Sequence, residues 1–109
     1  MLVFPSARRV DGVRTNLFLV GIGVGEPVRA RVEVISGSGG VLAAQTVDVL
    51  SWDEPGATMF VDVLGQLGVS GLALGQLRVT RESGSQLLWG VLSNVYDDGR
   101  LSVVAPELR

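Results

Sequence analysis

The side chains of this sequence that could perform chemistry are carboxylates, and four of them form two adjacent pairs, Asp53-Glu54 and Asp97-Asp98. Paired carboxylates serve as acid and base in glycoside hydrolysis, and carboxylate oxygens bind calcium. Calcium takes about six to eight oxygen ligands, more than two neighbouring side chains supply, and the spacing of the acidic residues singles out no hydrolytic pair. Aspartate also stabilises turns through contacts with nearby backbone. We therefore predict that both pairs lie in turns.

The residue types that most enzymes rely on are missing. Histidine, cysteine and lysine are absent, and all nine basic residues are arginine. Without cysteine and histidine the chain has no thiol nucleophile, disulfide or zinc–thiolate site, and it lacks the usual general base. Without lysine it forms neither a Schiff base nor a P-loop. These absences predict a protein that is not an enzyme and that has no catalytic residues, cofactor or metal.

Glycines alternate with other residues at Gly21, Gly23 and Gly25, a pattern that invites comparison with phosphate-binding loops. A dinucleotide-binding fingerprint requires Gly-x-Gly-x-x-Gly at the start of a helix. In this sequence Glu26 and Pro27 follow, and the next segment alternates like a strand. We therefore predict that residues 21–27 form a structural loop.

The two tryptophans occur in different settings. Trp52 lies beside Asp53 and Glu54 in a polar loop, whereas Trp89 lies in an apolar run. Because amphipathic aromatic side chains are common at contact surfaces, we predict that Trp52, Asp53 and Glu54 form an interaction surface and that Trp89 belongs to the core. Arg14 is expected to pair with a carboxylate or to cap strand-end carbonyls rather than to bind a ligand.

Charge and hydropathy exclude several classes of partner. A net charge of −2, carried by scattered residues, disfavours nucleic-acid binding, which depends on a basic patch. No apolar run approaches the roughly 20 residues of a membrane-spanning helix. Residues 1–4 are too short for the apolar core of a signal peptide, so we expect either an export signal outside this sequence or a protein that is not exported by that route.

The stretch around which the chain is organised is Val13–Ile22, which ends in a nearly unbroken apolar run rich in strand-forming residues. A helix is the alternative for a short apolar run, but the alternating glycines that begin at Gly21 would end it at once. We predict a central strand that is buried on both faces.

The segments around this strand also have the patterns of strands. Residues 2–4 and 7–10 predict an edge strand interrupted by Pro5, with a turn at Asp11-Gly12. Further strands are predicted over residues 28–35, 41–50, 74–81, 86–96 and 101–105, with loops or turns at 36–40, 51–57, 83–85 and 98–99. The spacing of Phe60, Leu64 and Leu67, with Val63 alongside and Gly68 after them, predicts one or two turns of helix.

The 109 residues, 47% of them hydrophobic and 18% charged, suffice for one packed domain over residues 1–109. About seven antiparallel strands with regular turn signals predict an all-β sandwich with one short helix, and a small barrel is the alternative. Open sheet edges are normally protected by charge or proline, yet residues 2–4 are apolar and residues 101–105 carry no charge. We therefore expect at least one terminal segment to be ordered by pairing within the domain or against a neighbouring copy.

Several short motifs occur together in this order: Pro5-Ser6-Ala7, Arg14-Thr15-Asn16, Asp62-Val63-Leu64 and Leu77-Arg78-Val79-Thr80. Together they resemble an immunoglobulin-like sandwich module of bacterial exported and cell-surface proteins, although Gly21-Ile22-Gly23 stands where those modules often have an Asn-Pro turn. The resemblance implies an immunoglobulin-like fold and offers no catalytic residues.

Two functions are expected from these observations. The first is a structural or interaction module that serves as a building block of a cell-surface, extracellular or virion assembly and binds a protein partner or a second copy. The alternative is a carbohydrate- or ligand-binding module that uses the loop around Trp52.

Overall fold

Nine strands and one short helix make up the computed structural model, which describes residues 1–9 and 12–109. The elements are β1 (Leu2–Arg9), β2 (Val13–Ile22), β3 (Val28–Ser36), β4 (Val41–Val49), β5 (Thr58–Phe60), α1 (Val63–Gln66), β6 (Leu72–Ser83), β7 (Leu87–Tyr96), β8 (Leu101–Val104) and β9 (Glu107–Leu108). The last residue of the predicted edge strand, Val10, and the first residue of the predicted turn, Asp11, lie outside the described residues. No helix in the described part of the chain has the length and apolar character needed to span a membrane.

The strands form two antiparallel sheets that pack against each other. Sheet A has the order β4-β3-β6-β1-β9, and sheet B has the order β5-β2-β7-β8. The neighbours β1-β6-β3 and β2-β7-β8 repeat the B-E-D and C-F-G strand orders of an immunoglobulin-type sandwich. The predicted all-β sandwich is therefore confirmed, and the barrel alternative is wrong because the two sheets remain separate. Seven of the nine strands correspond to predicted ones, and β5 and β9 are additional.

Regular alternation explains why the inner faces of the sheets form one core. On β3 the side chains of Val28, Ala30, Val32 and Val34 are buried, and Arg29 and Arg31 between them are exposed. Successive side chains of a strand point to opposite faces, so one face of this strand packs against sheet B and the other faces water.

The prediction that β2 is a strand is confirmed, but the prediction that it is buried on both faces is wrong. Its inner-face residues Thr15, Leu17 and Leu19 are buried, but Phe18 and Val20 on the other face are only half-buried. The strand has neighbours on both sides, because β7 pairs along its whole length and β5 along part of it. Only one face is covered, however, since sheet B has sheet A on one side only.

Strand β1 lies inside sheet A rather than at its edge. It pairs with β6 on one side and with the two-residue β9 on the other, and its ladder to β6 shifts register between Phe4 and Ala7, on either side of Pro5. Main-chain hydrogen bonds of 2.9 Å join Met1 and Arg109 in both directions. The two terminal segments therefore pair with each other within the domain.

The predicted helix is confirmed as a single turn. Of its predicted apolar positions, Val63 and Leu64 lie within α1, whereas Phe60 belongs to β5 and pairs with Leu17. The turn begins after Asp62, which adopts a left-handed backbone conformation with φ 55°. Its carboxylate accepts hydrogen bonds from the N–H of Gly65 at 3.3 Å and from Nε of Arg9 at 3.1 Å. This capping contact and ion pair fix the turn beside β1.

A buried polar cluster ties the irregular part of β1 to sheet B. The hydroxyl of Thr15 accepts a hydrogen bond from the N–H of Arg8 at 2.8 Å and lies 2.7 Å from Oδ1 of Asn94. The amide Nδ2 of Asn94 donates to the carbonyl of Ser6 at 3.0 Å. Both side chains are almost fully buried. They satisfy backbone groups that the shifted β1–β6 ladder leaves without regular partners.

We expect Thr15→Val to lower the free energy of unfolding by about 1–3 kcal/mol, because the isosteric side chain leaves the Arg8 N–H and Asn94 Oδ1 without their buried partner. Chemical denaturation measures the change. Thr46→Val is the matched control, since the Thr46 hydroxyl makes only an exposed 3.4 Å contact with Glu82. Equal effects of the two substitutions would contradict the role of the cluster.

Candidate functional site

The outer face of sheet A is charged and polar. Cross-strand register places Arg29 beside Asp48 and Glu33 beside Arg78 on this face. Arg29 and Asp48 approach to 3.8 Å, and both side chains are largely exposed. Such a surface is well solvated, and its exposed ion pairs contribute little to stability. It is the ordinary solvent-facing side of a sandwich.

The outer face of sheet B is apolar. Register places Phe18 opposite Val91, Val20 opposite Trp89, and Ile22 opposite Leu87 at its centre. On one margin Met59 lies beside Phe18. Towards β8, Val103 lies beside Ser93, and beyond the polar pair Asn16 and Ser93 the apolar residues Val95 and Leu101 lie beside each other. We call the ten apolar residues of this surface the apolar face: Phe18, Val20, Ile22, Met59, Leu87, Trp89, Val91, Val95, Leu101 and Val103. Leu87 is 62% exposed and Val103 is 64% exposed, so large aliphatic side chains meet solvent here.

Trp89 is part of this face, and its predicted place in the core is wrong. It is 38% exposed, whereas its neighbour Leu88 points inward and is buried. The apolar run of β7 has hydrophobic residues on both faces, so hydrophobicity alone did not indicate which of them packs inside. The pairing of β7 with β2 places Trp89 on the same face as Val20, and the packing of sheet A against the other face leaves Trp89 outside and Leu88 in the core.

Trp52 borders a groove at the end of the sandwich where β2 leaves the sheet. The backbone N–H of Trp52 donates a hydrogen bond to the carbonyl of Gly21 at 2.8 Å, and the Trp52 side chain is 62% exposed. The groove has a volume of about 480 Å³. It is lined by Gly23, Val24, Gly25 and Pro27 of one loop, by Ser51, Trp52, Asp53 and Glu54 of a second, and by Gln86 just before β7. We call it the Trp52 groove. The structure thus brings the three predicted surface residues together.

Gln86 forms the buried wall of this groove and was not singled out from the sequence. Its Nε2 donates to the hydroxyl of Ser51 at 2.7 Å and to the carbonyl of Gly23 at 2.9 Å. Its Oε1 lies 2.6 Å from the place a Cβ of Gly21 would occupy and has no hydrogen-bond partner among the described residues. The missing side chain at Gly21 therefore makes room for the Gln86 amide, and this glycine has a structural role.

The two acidic residues at the groove, Asp53 and Glu54, differ in their hydrogen bonds. The N–H of Glu54 donates to the carbonyl of Ser51 at 3.0 Å, and its Oε1 accepts from the Ser51 N–H at 3.4 Å. Glu54 thus closes the turn as predicted, and Asp53 is exposed beside it. Arg14 is exposed at the far end of β2, and no carboxylate of the described residues forms an ion pair with it.

The second acidic pair closes the β7–β8 hairpin. The N–H of Asp97 donates to the carbonyl of Gly12 at 2.9 Å, and Asp98 accepts hydrogen bonds from the backbone N–H and Nε of Arg100 at 3.0 and 2.6 Å. The backbone N–H of Arg100 is the largest influence on the Asp98 carboxyl and lowers its pKa below the ordinary value. Among the described residues, no group of three or more acidic side chains gathers where it could hold a metal ion.

We expect an NMR titration to place the pKa of Asp98 below that of an unperturbed aspartate. Arg100→Ala keeps the backbone N–H and should retain much of the lowering. The stabilisation from this carboxylate is present above the ordinary pKa and is lost as the pH falls through the lowered pKa of the folded state. An Asp98 pKa at or above the ordinary value, or complete restoration by Arg100→Ala, would contradict this assignment.

Neither the family models, the characterised proteins nor the solved structures compared with this chain give a match. Two surfaces are the candidate functional sites of the described residues, the Trp52 groove and the apolar face. They adjoin each other, because Trp52, Phe18 and Val20 also line a smaller hollow of about 140 Å³ between them. The sequence signal for the apolar face was the apolar run of β2, which has hydrophobic residues on both faces.

Proposed function

We propose that this chain is a non-catalytic interaction module that serves as a building block of a cell-surface, extracellular or virion assembly. The observation that carries the proposal is the difference between the two outer faces of the sandwich. Sheet A presents alternating charges to solvent, whereas sheet B presents ten apolar side chains. Contiguous apolar patches of a few hundred Å² on soluble proteins mark surfaces that bind other molecules.

The composition of the apolar face favours a protein partner. Trp89 and Phe18 supply large aromatic area near its centre, and aromatic side chains dominate the binding energy of many protein interfaces. Polar side chains lie on the Arg14 side, where Asn16 and Ser93 are paired across β2 and β7. An apolar centre with polar residues towards one end resembles the anatomy of a protein interface.

The assignment to an exported or surface-associated assembly rests on the resemblance to immunoglobulin-like modules of bacterial surface proteins. The topology is compatible with it, because the order of six strands is that of an immunoglobulin-type sandwich. The absence of histidine, cysteine and lysine from the sequence supports a role that needs no catalytic group. The supporting features are therefore surfaces rather than reactive side chains.

Photo-crosslinking in the cells that produce the protein tests this function. The photoreactive amino acid p-benzoylphenylalanine replaces Phe18 on the apolar face, and in a matched control it replaces Arg31 on the outer face of sheet A. We expect Phe18 to give discrete cross-linked products that contain protein and Arg31 to give none, because only the first position lies in a binding surface.

Products at neither position, or the same products at both, would contradict the proposed interaction surface. A hydrolase or transferase activity that disappears when Asp53 or Glu54 is replaced by its amide would overturn the non-catalytic assignment.

The Trp52 groove favours a second function, the binding of a carbohydrate or another small polar ligand. An exposed indole offers a flat apolar surface, and the neighbouring Asp53 and Glu54 offer acceptors for hydroxyl groups. Concave sites with an aromatic wall and a few polar groups are typical of ligand-binding surfaces. Gln86 holds the two loops of the groove together through its contacts with Gly23 and Ser51.

A glycan array distinguishes this second function from the first. If the groove binds carbohydrate, Trp52→Ala should abolish the signal, because it removes the stacking surface, and Trp89→Ala should retain it. Both tryptophans are partly exposed, so the two substitutions are matched. Binding that survives Trp52→Ala would remove Trp52 from the site, and an array without signal for the unsubstituted protein would contradict carbohydrate binding.

A further inference from the structure

We propose that the occupant of the apolar face is a second copy of this chain, packed face to face through sheet B in a twofold dimer. This inference rests on the proposed function and names the partner of the same surface. The face is chemically complementary to itself, because apolar side chains fill its centre and Arg14 is the one charged residue on the outer face of these strands among the residues that the structure describes. Two copies therefore meet without burying a charge at the centre.

The pairing of β2 with β7 builds the centre of this interface. Val20 opposite Trp89 and Phe18 opposite Val91 form two adjacent cross-strand pairs, and each pair projects to the same side of the sheet. The Cβ atoms of directly opposite residues on paired strands lie about 4.5–5.5 Å apart, so these four side chains form a continuous layer. The same apolar layer on a second copy can pack against it, as the apolar inner faces of two sheets pack in a sandwich.

The size of the face predicts a weak dimer. Strands β2 and β7 contribute ten residues each, β8 four and β5 three. At about 3.3 Å per residue and about 4.8 Å between strands, these strands present a flat projection of about 430 Å² per copy, or about 860 Å² for two facing copies. Interfaces below roughly 1,200 Å² belong to weak, transient complexes, so we expect the two copies to associate at high protein concentration.

The geometry of the sandwich limits this association to two copies. Each chain has one apolar outer face, because the outer face of sheet A carries Arg29, Arg31 and Glu33. An interface that uses the same patch on both partners closes on itself and leaves no second surface for growth. Identical sheets have the same twist, so they pack with their strands about 30° apart, as aligned sheets in sandwiches do.

The dimer also accounts for the sequence of β2. Its run from Leu17 to Ile22 has apolar residues on both faces, the pattern of a strand that is covered on both sides. Within one chain sheet A covers only the Leu17 and Leu19 side. A second copy covers Phe18, Val20 and Ile22 and completes the burial that the sequence predicts.

Sedimentation equilibrium of the purified full chain tests the dimer between about 1 μM and 1 mM. We expect a mass of twice the 11.5 kDa of one chain at the upper concentrations. Val20→Glu should weaken the association by about a hundredfold or more, because it places an unpaired carboxylate in an apolar interface. Thr80→Glu is the matched control on a central strand of sheet A and should leave the dimer unchanged. Circular dichroism establishes that both variants are folded.

Fluorescence provides a second measurement that leaves the ten residues of the apolar face unchanged. Trp52→Phe leaves Trp89 as the single tryptophan, since the sequence has two. We expect its emission to shift to longer wavelength on dilution and its quenching by iodide to increase, because dissociation exposes the indole. Emission and mass that stay constant at the monomer value would overturn the dimer. A dimer that Val20→Glu and Thr80→Glu leave equally intact would overturn the assignment of the face.

The outcomes for the dimer and for the interaction module are distinguishable. A monomer in solution whose Phe18 position cross-links to a different protein in cells overturns the second copy as partner and retains the interaction module. A monomer that gives no cross-link from Phe18 overturns both. A dimer that dissociates through Val20→Glu supports both, because the face then has a protein partner of known identity.

Discussion

The pairing of β2 with β7 is the constraint on which the rest of this structure depends. The two strands run antiparallel over ten residues each, from Val13 opposite Tyr96 to Ile22 opposite Leu87, without a shift in register. Because side chains alternate with a period of two, a slip of one residue would exchange the inner and outer sets on either strand. This one register places Thr15 and Asn94 in the interior and Trp89 on the surface. The core, the polar cluster and the apolar face are therefore consequences of the same pairing.

The interior of the sandwich is not wholly apolar, and its polar residues solve a specific structural problem. Strand β1 shifts register around Pro5, so part of its backbone has no regular partner in sheet A. Thr15 and Asn94 of sheet B supply the missing hydrogen bonds to Ser6 and Arg8. A polar contact between the two sheets is directional, whereas apolar packing is not, so the cluster fixes how the sheets lie across each other. The register shift and the polar cluster thus form one unit.

Both proposed functions depend on surfaces. The carboxylate pairs serve as turn residues, since Glu54 bonds to Ser51 and Asp98 bonds to Arg100. The two exposed tryptophans instead belong to adjoining surfaces, with Trp52 at the groove and Trp89 on the apolar face. The surfaces have different chemistry, because the groove has polar acceptors beside its aromatic ring and the face is almost entirely apolar. The two proposed functions are therefore compatible in one chain, because a protein partner on the face would leave the groove open to a polar ligand.

Local patterns in the sequence determined most of the elements, because strand alternation and turn chemistry act over a few residues. The alternation of β3, the Asp98-Gly99 hairpin and the loop at Ser51 to Ala57 could all be predicted in this way. Only the tertiary structure decided the place of Phe60, which pairs with Leu17 as a strand instead of joining the helix. It also decided which side of β2 and β7 faces the core. Where both faces of a strand are apolar, a period of two shows which residues share a face but not which face meets the opposing sheet, so Trp89 could not be placed without the structure.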